Sequence, residues 1–389
     1  MAEALLPALG EAAPGLARSR ATDLPQAADR SGAARRLARL LSFEPQDRRR
    51  LVELADEHRS WAVVELAGEA SARAAADDAA EALELAYFAL FVAERVPGGD
   101  AWRARVQGYA WAFVGNARRV GSDLDGAEAA FATARELWAA GSAGDPGLLD
   151  PSRLLDLEAS LRRARRRFAE ALDLLGRALA AAPTSARAAS ILLNTAFTHE
   201  QDGDCEAAAA ALARAAPLLA GGGERRLVWV HRLNLAVNLC HLGRHAEAAP
   251  LAAEARELAV ALENEIDLLR VLWLESRIAA GLGRREEAVA ALRRVRRDFA
   301  SKGIPYDAAL ATLELAILLL EENANAEVRA LAGEMVAIFE SLEVHREALA
   351  AAQVFWPAVE QEAATAELGR RLLCYLERAR HDPELRFEA

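Results

Sequence analysis

The stretch "WAFVGNARRVGSDLDGAEAAFATARELW", residues 111–138, decides the fold. Trp111, Gly115, Ala127, Phe131 and Ala134 stand at offsets 0, 4, 16, 20 and 23. Within each half the offsets are three or four, which keeps these residues on one face of a helix. Two antiparallel helices follow. Gly115 and Ala127 let them approach closely, and Phe131 fills the space toward the next pair. Its full burial is worth roughly 1.5–3 kcal/mol. Leu at position 115 is expected to overpack the contact, costing about 1–3 kcal/mol.

The spacing recurs at Leu155, Ala159, Ala171, Leu175 and Ala178, closed by Pro183. Leu192, Ala196, Ala208, Leu212 and Ala215 repeat it, as do Leu272, Ser276, Ala288, Leu292 and Val295. Weaker copies centre on Ala82, Ala248 and Val328. The central positions 82, 127, 171, 208, 248, 288 and 328 are thus 45, 44, 37, 40, 40 and 40 apart. One more step reaches Leu368, with Trp356 and Tyr375 where small residues are expected, so a hairpin near 343–380 reads as an end cap.

This pattern, over about residues 50–380, resembles the tetratricopeptide repeat. The resemblance implies an all-α fold, a right-handed α-solenoid of about eight helical hairpins. The period here exceeds the roughly 34 residues usual for the family. Six extra residues shared by two helices lengthen each by about 4.5 Å. "RVPGGDA" (95–101), "AGSAGDPGLLD" (140–150) and "AGGGERR" (220–226) read as breaks. The domain expected is 44–380, preceded by a leader of residues 1–43 and followed by a tail of 381–389. Pro7, Pro14, Pro25 and Gly32 divide the leader, leaving open a helical cap, a partner-binding arm or a disordered segment. "SFEPQDRRRLVELA" (42–55) reads as a helix start with proline in its first turn.

Composition agrees. Hydrophobic residues make up 53% and aromatic residues 6%, with alanine abundant, which suits close helix packing better than a sheet core. A net charge of −11 argues against nucleic acid and anionic membranes as partners. Lys302 is the single lysine, so nearly every cation is a planar fork suited to carboxylates. Cys205, Cys240 and Cys374 are odd in number and far apart, which gives no disulfide framework and makes a cytoplasmic setting the expectation. The N-terminus does not read as a signal peptide. "LAILLL" (315–320) is too short to span a bilayer.

"VNLCHLGRHAEAA" (237–249) invites a metal or thiol reading. Cys240 and His241 are adjacent, so they diverge by about 100° on a helix. His231 lies ten residues before His241, a rotation of about 280°. Gly243 marks the turn that separates His241 from His245. The favoured reading is a histidine at a helix C-terminus. "LRRARRRF" (161–168) reads as a solvated helix end with ion pairs. No phosphate loop, zinc-protease or nucleophile-elbow pattern is found, and "GGG" at 221–223 lacks a following Lys-Ser/Thr. The expected protein is therefore non-enzymatic, without cofactor or metal.

The resemblance implies a groove lined by the first helix of each hairpin. Its inward positions here hold Tyr109, Asn116, Arg119, Arg153, Arg163, Asn194, Glu200, Asn234, His241, Arg270, Trp273 and Arg277. Asn194 and Asn234 share one repeat position, with two arginines and a tryptophan in the next. This is similar to the family's carboxylate clamp, with arginines in place of its lysines. Residues that merely pair with one another are the plainer alternative. The expected function is an adaptor binding a peptide or partner protein, with acidic or carboxylate groups in the partner. The alternative is a ligand- or partner-sensing regulatory subunit of a bacterial transcription, signalling or defence system.

Overall fold

Five positions before the central residues Ala127, Ala171, Ala208, Ala248 and Ala288 the chain reverses through a positive φ. The residues are Ser122 (63°), Arg166 (56°), Gly203 (90°), Gly243 (71°) and Gly283 (77°). A left-handed residue at this point ends a helix, and the next N–H then bonds back to a carbonyl of the last turn. Asp123 N donates to Arg118 O at 2.9 Å, and Arg167, Arg244 and Arg284 donate to Arg162, Leu239 and Ala279 at 2.8 Å. One bend is therefore built repeatedly, and Gly243 is its place in the "VNLCHLGRHAEAA" stretch.

The computed structural model describes residues 27–75, 78–220, 224–322, 324–341 and 365–379. Among them there are seventeen α-helices, two short 3-10 turns and no strand. The proposed end cap falls largely outside the described residues, as do Trp356, Pro7, Pro14, Pro25, "GGG" at 221–223 and the tail. The chain divides into two compact units: residues 2–202 with 211–227, and residues 203–210 with 228–389, with which Met1 is grouped.

The N-terminal unit contains α1 (Ala27–Leu41), α2 (Pro45–Leu54), α3 (Trp61–Ala74), α4 (Ala79–Ala93), α5 (Asp100–Val120), α6 (Leu124–Ala140), α7 (Pro151–Ala164), α8 (Phe168–Ala181) and α9 (Ser185–Asp202). Helices α3 with α4, α5 with α6 and α7 with α8 form hairpins. Missing side chains set their spacing. A Cβ at Gly115 would lie 2.7 Å from the Phe131 ring, and one at Gly108 would lie 2.6 Å from the Trp138 backbone nitrogen. Phe88, Tyr109, Phe113 and Phe131 form the core. Pro45 occupies the first turn of α2, as the sequence suggests. Helix α1 packs on α3 and buries Ala33, Leu37 and Leu40, and Arg30 binds Glu65 at 2.8 Å. Residues 27–41 are therefore a helix packed against α3.

Helices α10 (Cys205–Leu219) and α11 (Arg225–His241) contribute residues to both units. The C-terminal unit continues with α12 (His245–Ala261), α13 (Glu265–Gly281), α14 (Arg285–Ser301), α15 (Pro305–Glu321), α16 (Asn325–Ser341) and α17 (Ala366–Ala379). Helices α11 to α16 each have 17 residues, or about 25 Å, which is where the longer period goes. Trp273 and Phe299 meet edge to face at 5.7 Å in its core. Helix α17 packs on α15, burying Leu372 and Leu376, and Tyr306 donates its hydroxyl to Leu376 O at 2.7 Å. No described helix is long and apolar enough to cross a membrane.

Candidate functional site

In the N-terminal unit the inward positions of α5, α7 and α9 form a buried polar cluster. Arg153 forks onto Glu69 of α3, at 2.7 Å from Nε and 2.8 Å from Nη2. Asp156 accepts from Arg187 at 2.9 Å and from Asn194 at 2.6 Å. Burial alone would raise the Asp156 carboxyl, but Arg187, Arg153 and Asn194 outweigh it and hold it below the usual range. Tyr109 is buried, and burial followed by Glu65 and Glu69 pushes its phenol well above the ordinary value. Asn116 is buried and accepts from Arg119 at 3.0 Å. Asn116, Arg153, Asp156, Ser160 and Asn194 line a cavity of about 10 Å³, the room of roughly one water.

Arg163 stands apart. It is 7% exposed, and its nearest hydrogen-bond partners are hydroxyls, Ser160 Oγ at 3.4 Å and Thr198 Oγ1 at 3.5 Å. Its guanidinium lies 4.6 Å from the Phe197 ring. Among the described residues no carboxylate pairs with it. Burial, then repulsion from Arg119, pushes it down to about 9, so it keeps its charge at neutral pH.

In the C-terminal unit α11, α13, α15 and α17 surround a cavity of about 590 Å³. Arg277 bridges two carboxylates, with Nε 2.9 Å from Glu314 and Nη2 2.7 Å from Glu377. Glu321 accepts from both Arg285 and Arg370. Ile317, Leu318 and Leu373 supply apolar wall. Burial lifts the Glu314 carboxyl above its usual range, and Arg277 offsets only part of this. Glu377 feels the same burial, yet Arg277 and His241 bring it below. Cys240 lines the cavity with its thiol pushed up to about 11 by burial. A thiol so shifted is a poor nucleophile at neutral pH.

The sequence-derived positions separate into groups. Asn116, Arg153, Arg163 and Asn194 meet in the N-terminal cluster, with Arg119 at its edge. Tyr109 and Trp273 lie in the core. His241 and Arg277 meet at the C-terminal cavity. Arg270 pairs with Asp267 at 3.3 Å, and Asn234 is half-buried, its carbonyl accepting from Asn238 at 2.9 Å. Glu200 is half-buried. The helix end at 161–168 is ion-paired, with Arg162 on Glu128 at 2.6 Å and Arg165 on Asp125 at 2.5 Å, but Arg162 and Arg163 are buried rather than solvated as the sequence suggested. Their repeat packs that turn against neighbouring helices.

Cys240, His241, His245 and Cys374 all line the C-terminal cavity, although no group that would hold a metal occurs among the described residues. Glu69, Asp156 and Arg187 were not among the sequence candidates, nor were Glu314, Glu321, Arg370 and Glu377. Repeat register could have found Glu314, which occupies the position of Asn194 and Asn234. It could likewise have found Asp156, one residue after Leu155 as Trp273 is one after Leu272; nothing in the local sequence announces Glu69, Arg187, Arg370 or Glu377.

The fold has known counterparts. A Rap protein, solved in complex with competence and sporulation factor, superposes with a TM-score of 0.59 at 14% identity, over 82% of this chain and 88% of that one. A signal transduction ATPase with a tetratricopeptide repeat sensor, from Pyrococcus horikoshii, superposes with a TM-score of 0.53 at 12% identity, over 94% of this chain. The match spans 54% of that ATPase, about half its length. Aspartyl phosphate phosphatase F from Bacillus subtilis gives 0.49 at 12% identity, over 89% and 98% of the two chains. No family model and no curated protein matches the sequence. The chain has a tetratricopeptide-like helical-repeat fold, all-α and solenoid in class, as the 40-residue spacing implied.

Proposed function

We propose that this protein binds a peptide or a segment of a partner protein, without catalysis of its own, in the cavity lined by α11, α13, α15 and α17. The observation that carries this reading is the cavity itself. Its volume of about 590 Å³ falls in the range of ligand sites, roughly 300–1,000 Å³. Three arginines and three glutamates line it in mutual pairs beside apolar side chains. Such a wall offers hydrogen bonds of both signs and little net field, which suits a mixed peptide better than a highly charged ligand. The Rap protein of similar fold, seen with its factor, is consistent with this use.

The test is a displayed-peptide selection on the full chain, followed by affinity measurements. Ala280 is half-buried on the cavity wall and is a member of none of its ion pairs, so Ala280→Trp puts bulk into the cavity while every charged partner stays in the chain. We expect a selected peptide to lose at least tenfold in affinity for Ala280→Trp while helicity is unchanged. Unchanged affinity, or a selection that enriches nothing, overturns the assignment. Arg277→Ala is unsuitable, because it strands Glu314 and Glu377 as unpaired buried carboxylates.

A second reading, a partner- or ligand-sensing regulatory subunit, is favoured by the sensor-bearing ATPase of similar fold. A sensor changes shape on binding. Small-angle scattering at saturating peptide is expected to change for a sensor, and an identical profile excludes that role.

A further inference from the structure

Helix α17 borders the larger cavity without filling it. Arg370, Leu373, Cys374 and Glu377 line the cavity, and their spacing puts them on one face of the helix. Leu372, Tyr375 and Leu376, on the adjacent face, are buried in a core shared with α15. A helix that only seals the end of an array closes onto the last hairpin. Helix α17 instead reaches back to Arg277 of α13 and leaves about 590 Å³ between itself and the first helices. Interiors that are close-packed leave few voids larger than a water molecule.

The ion pairs that hold α17 are arranged so that it can leave. Arg277 binds Glu377 of α17 at 2.7 Å, but it also binds Glu314 of α15. Glu321 of α15 binds Arg370 of α17, but it also binds Arg285 of α14. With α17 withdrawn, Arg277 keeps Glu314 and Glu321 keeps Arg285. No charge is stranded in the groove wall, which is the large cost of breaking a buried pair. On the departing helix, Arg370 is exposed and keeps Glu367 at 3.5 Å, and Glu377 passes into water.

We propose that α17 is an internal competitor for the groove of α11, α13 and α15, and that an amphipathic helical segment of a partner protein takes its place. The surface that α17 covers accepts two leucines and a tyrosine at 372, 375 and 376. It also accepts a base and an acid seven residues apart, about 10.5 Å along a helix. A segment that replaces α17 needs that same pattern of groups. This inference rests on the proposed function and adds how access to its cavity is controlled.

The probe is a fluorescent synthetic peptide with the sequence of residues 366–379, titrated into the full chain. Tethering gives α17 a high effective concentration against any free segment, so wild type is expected to bind the probe weakly. The double variant Arg370→Gln, Glu377→Gln changes only α17 and leaves the groove intact, and it is expected to bind the probe at least tenfold more tightly. A probe with its Arg370 and Glu377 equivalents exchanged should bind that variant at least tenfold more weakly. In wild type saturated with a peptide from the displayed selection, α17 amides should exchange hydrogen faster while those of α13 and α15 keep their protection. The competitor role is overturned if the double variant binds the probe no better than wild type, or if the exchanged probe binds equally. It is also overturned if α17 amides keep or gain protection at saturation, or if the double variant loses helicity, which would mark α17 as structural. Ala280→Trp decides the peptide-binding reading separately. A selected peptide that loses affinity for Ala280→Trp yet leaves α17 protected keeps the peptide site and removes the competitor.

Discussion

Ser122 and Arg166 adopt the left-handed backbone that Gly203, Gly243 and Gly283 adopt at the equivalent bend. A side chain there strains the backbone by roughly 1–2 kcal/mol, some of which glycine gives back as unfolded-state freedom. Ser122→Gly is therefore expected to stabilise the protein by about 0.5–1 kcal/mol, and Gly283→Ala to destabilise it by at least about 1 kcal/mol, in urea unfolding. Asp156 makes a pH prediction. Its folded pKa lies below its unfolded value near 3.8. Its contribution is complete above that value and is lost as pH falls through the folded pKa. Breaking a buried pair by removing one charge costs about 3 kcal/mol, so Asp156→Asn should lower stability by that order at pH 7. The same variant should flatten the loss of stability of wild type below pH 4, measured by denaturant unfolding across the acid range. A limb as steep as that of wild type would show that other carboxylates carry it.

Helix pairing depends on contacts with different give. A Cβ at Gly115 meets the Phe131 ring, a side chain that can turn, whereas one at Gly108 meets the backbone of Trp138 and Ala134. Gly115→Leu is expected to cost about 1–3 kcal/mol. Gly108→Leu should cost more, because a helix must move rather than a ring. Thermal melts of the two variants check the order, and a reversed order would mean that the α5–α6 spacing is soft. That Gly115 sits at a close helix approach was legible from offsets in the sequence, but its neighbour there is the Phe131 ring, which the spacing alone directs toward the next pair. The approach at Gly108 was not legible, because its partner is backbone and backbone has no residue signature. Helix α17 was foreseen only as part of a cap, and its role as a wall of the larger cavity depends on Glu377 and Arg370 reaching helices far back in the chain.

In a repeat array each hairpin is stabilised chiefly by its neighbours, so damage stays local. Phe299 is fully buried in the C-terminal core, and Phe299→Ala should cost about 3–5 kcal/mol. By hydrogen exchange, protection should fall across α13 to α15 while amides of α3 to α7 keep theirs. Uniform loss would show a single cooperative unit. The 40-residue rhythm and the bends at Gly203, Gly243 and Gly283 were readable in the sequence, because each is a local spacing on one or two helices, whereas Tyr109 and Trp273, assigned inward by register, lie in the core. What the tertiary structure alone decided is which inward cations are already satisfied. Arg153 meets Glu69 across 84 positions and Arg277 meets Glu377 across 100. Periodicity assigns a face to a residue but not a partner, and a buried charge is defined by its partner. That is why inward-facing arginines end as a closed ion pair at Arg277 and as a buried cation beside the hydroxyls of Ser160 and Thr198 at Arg163.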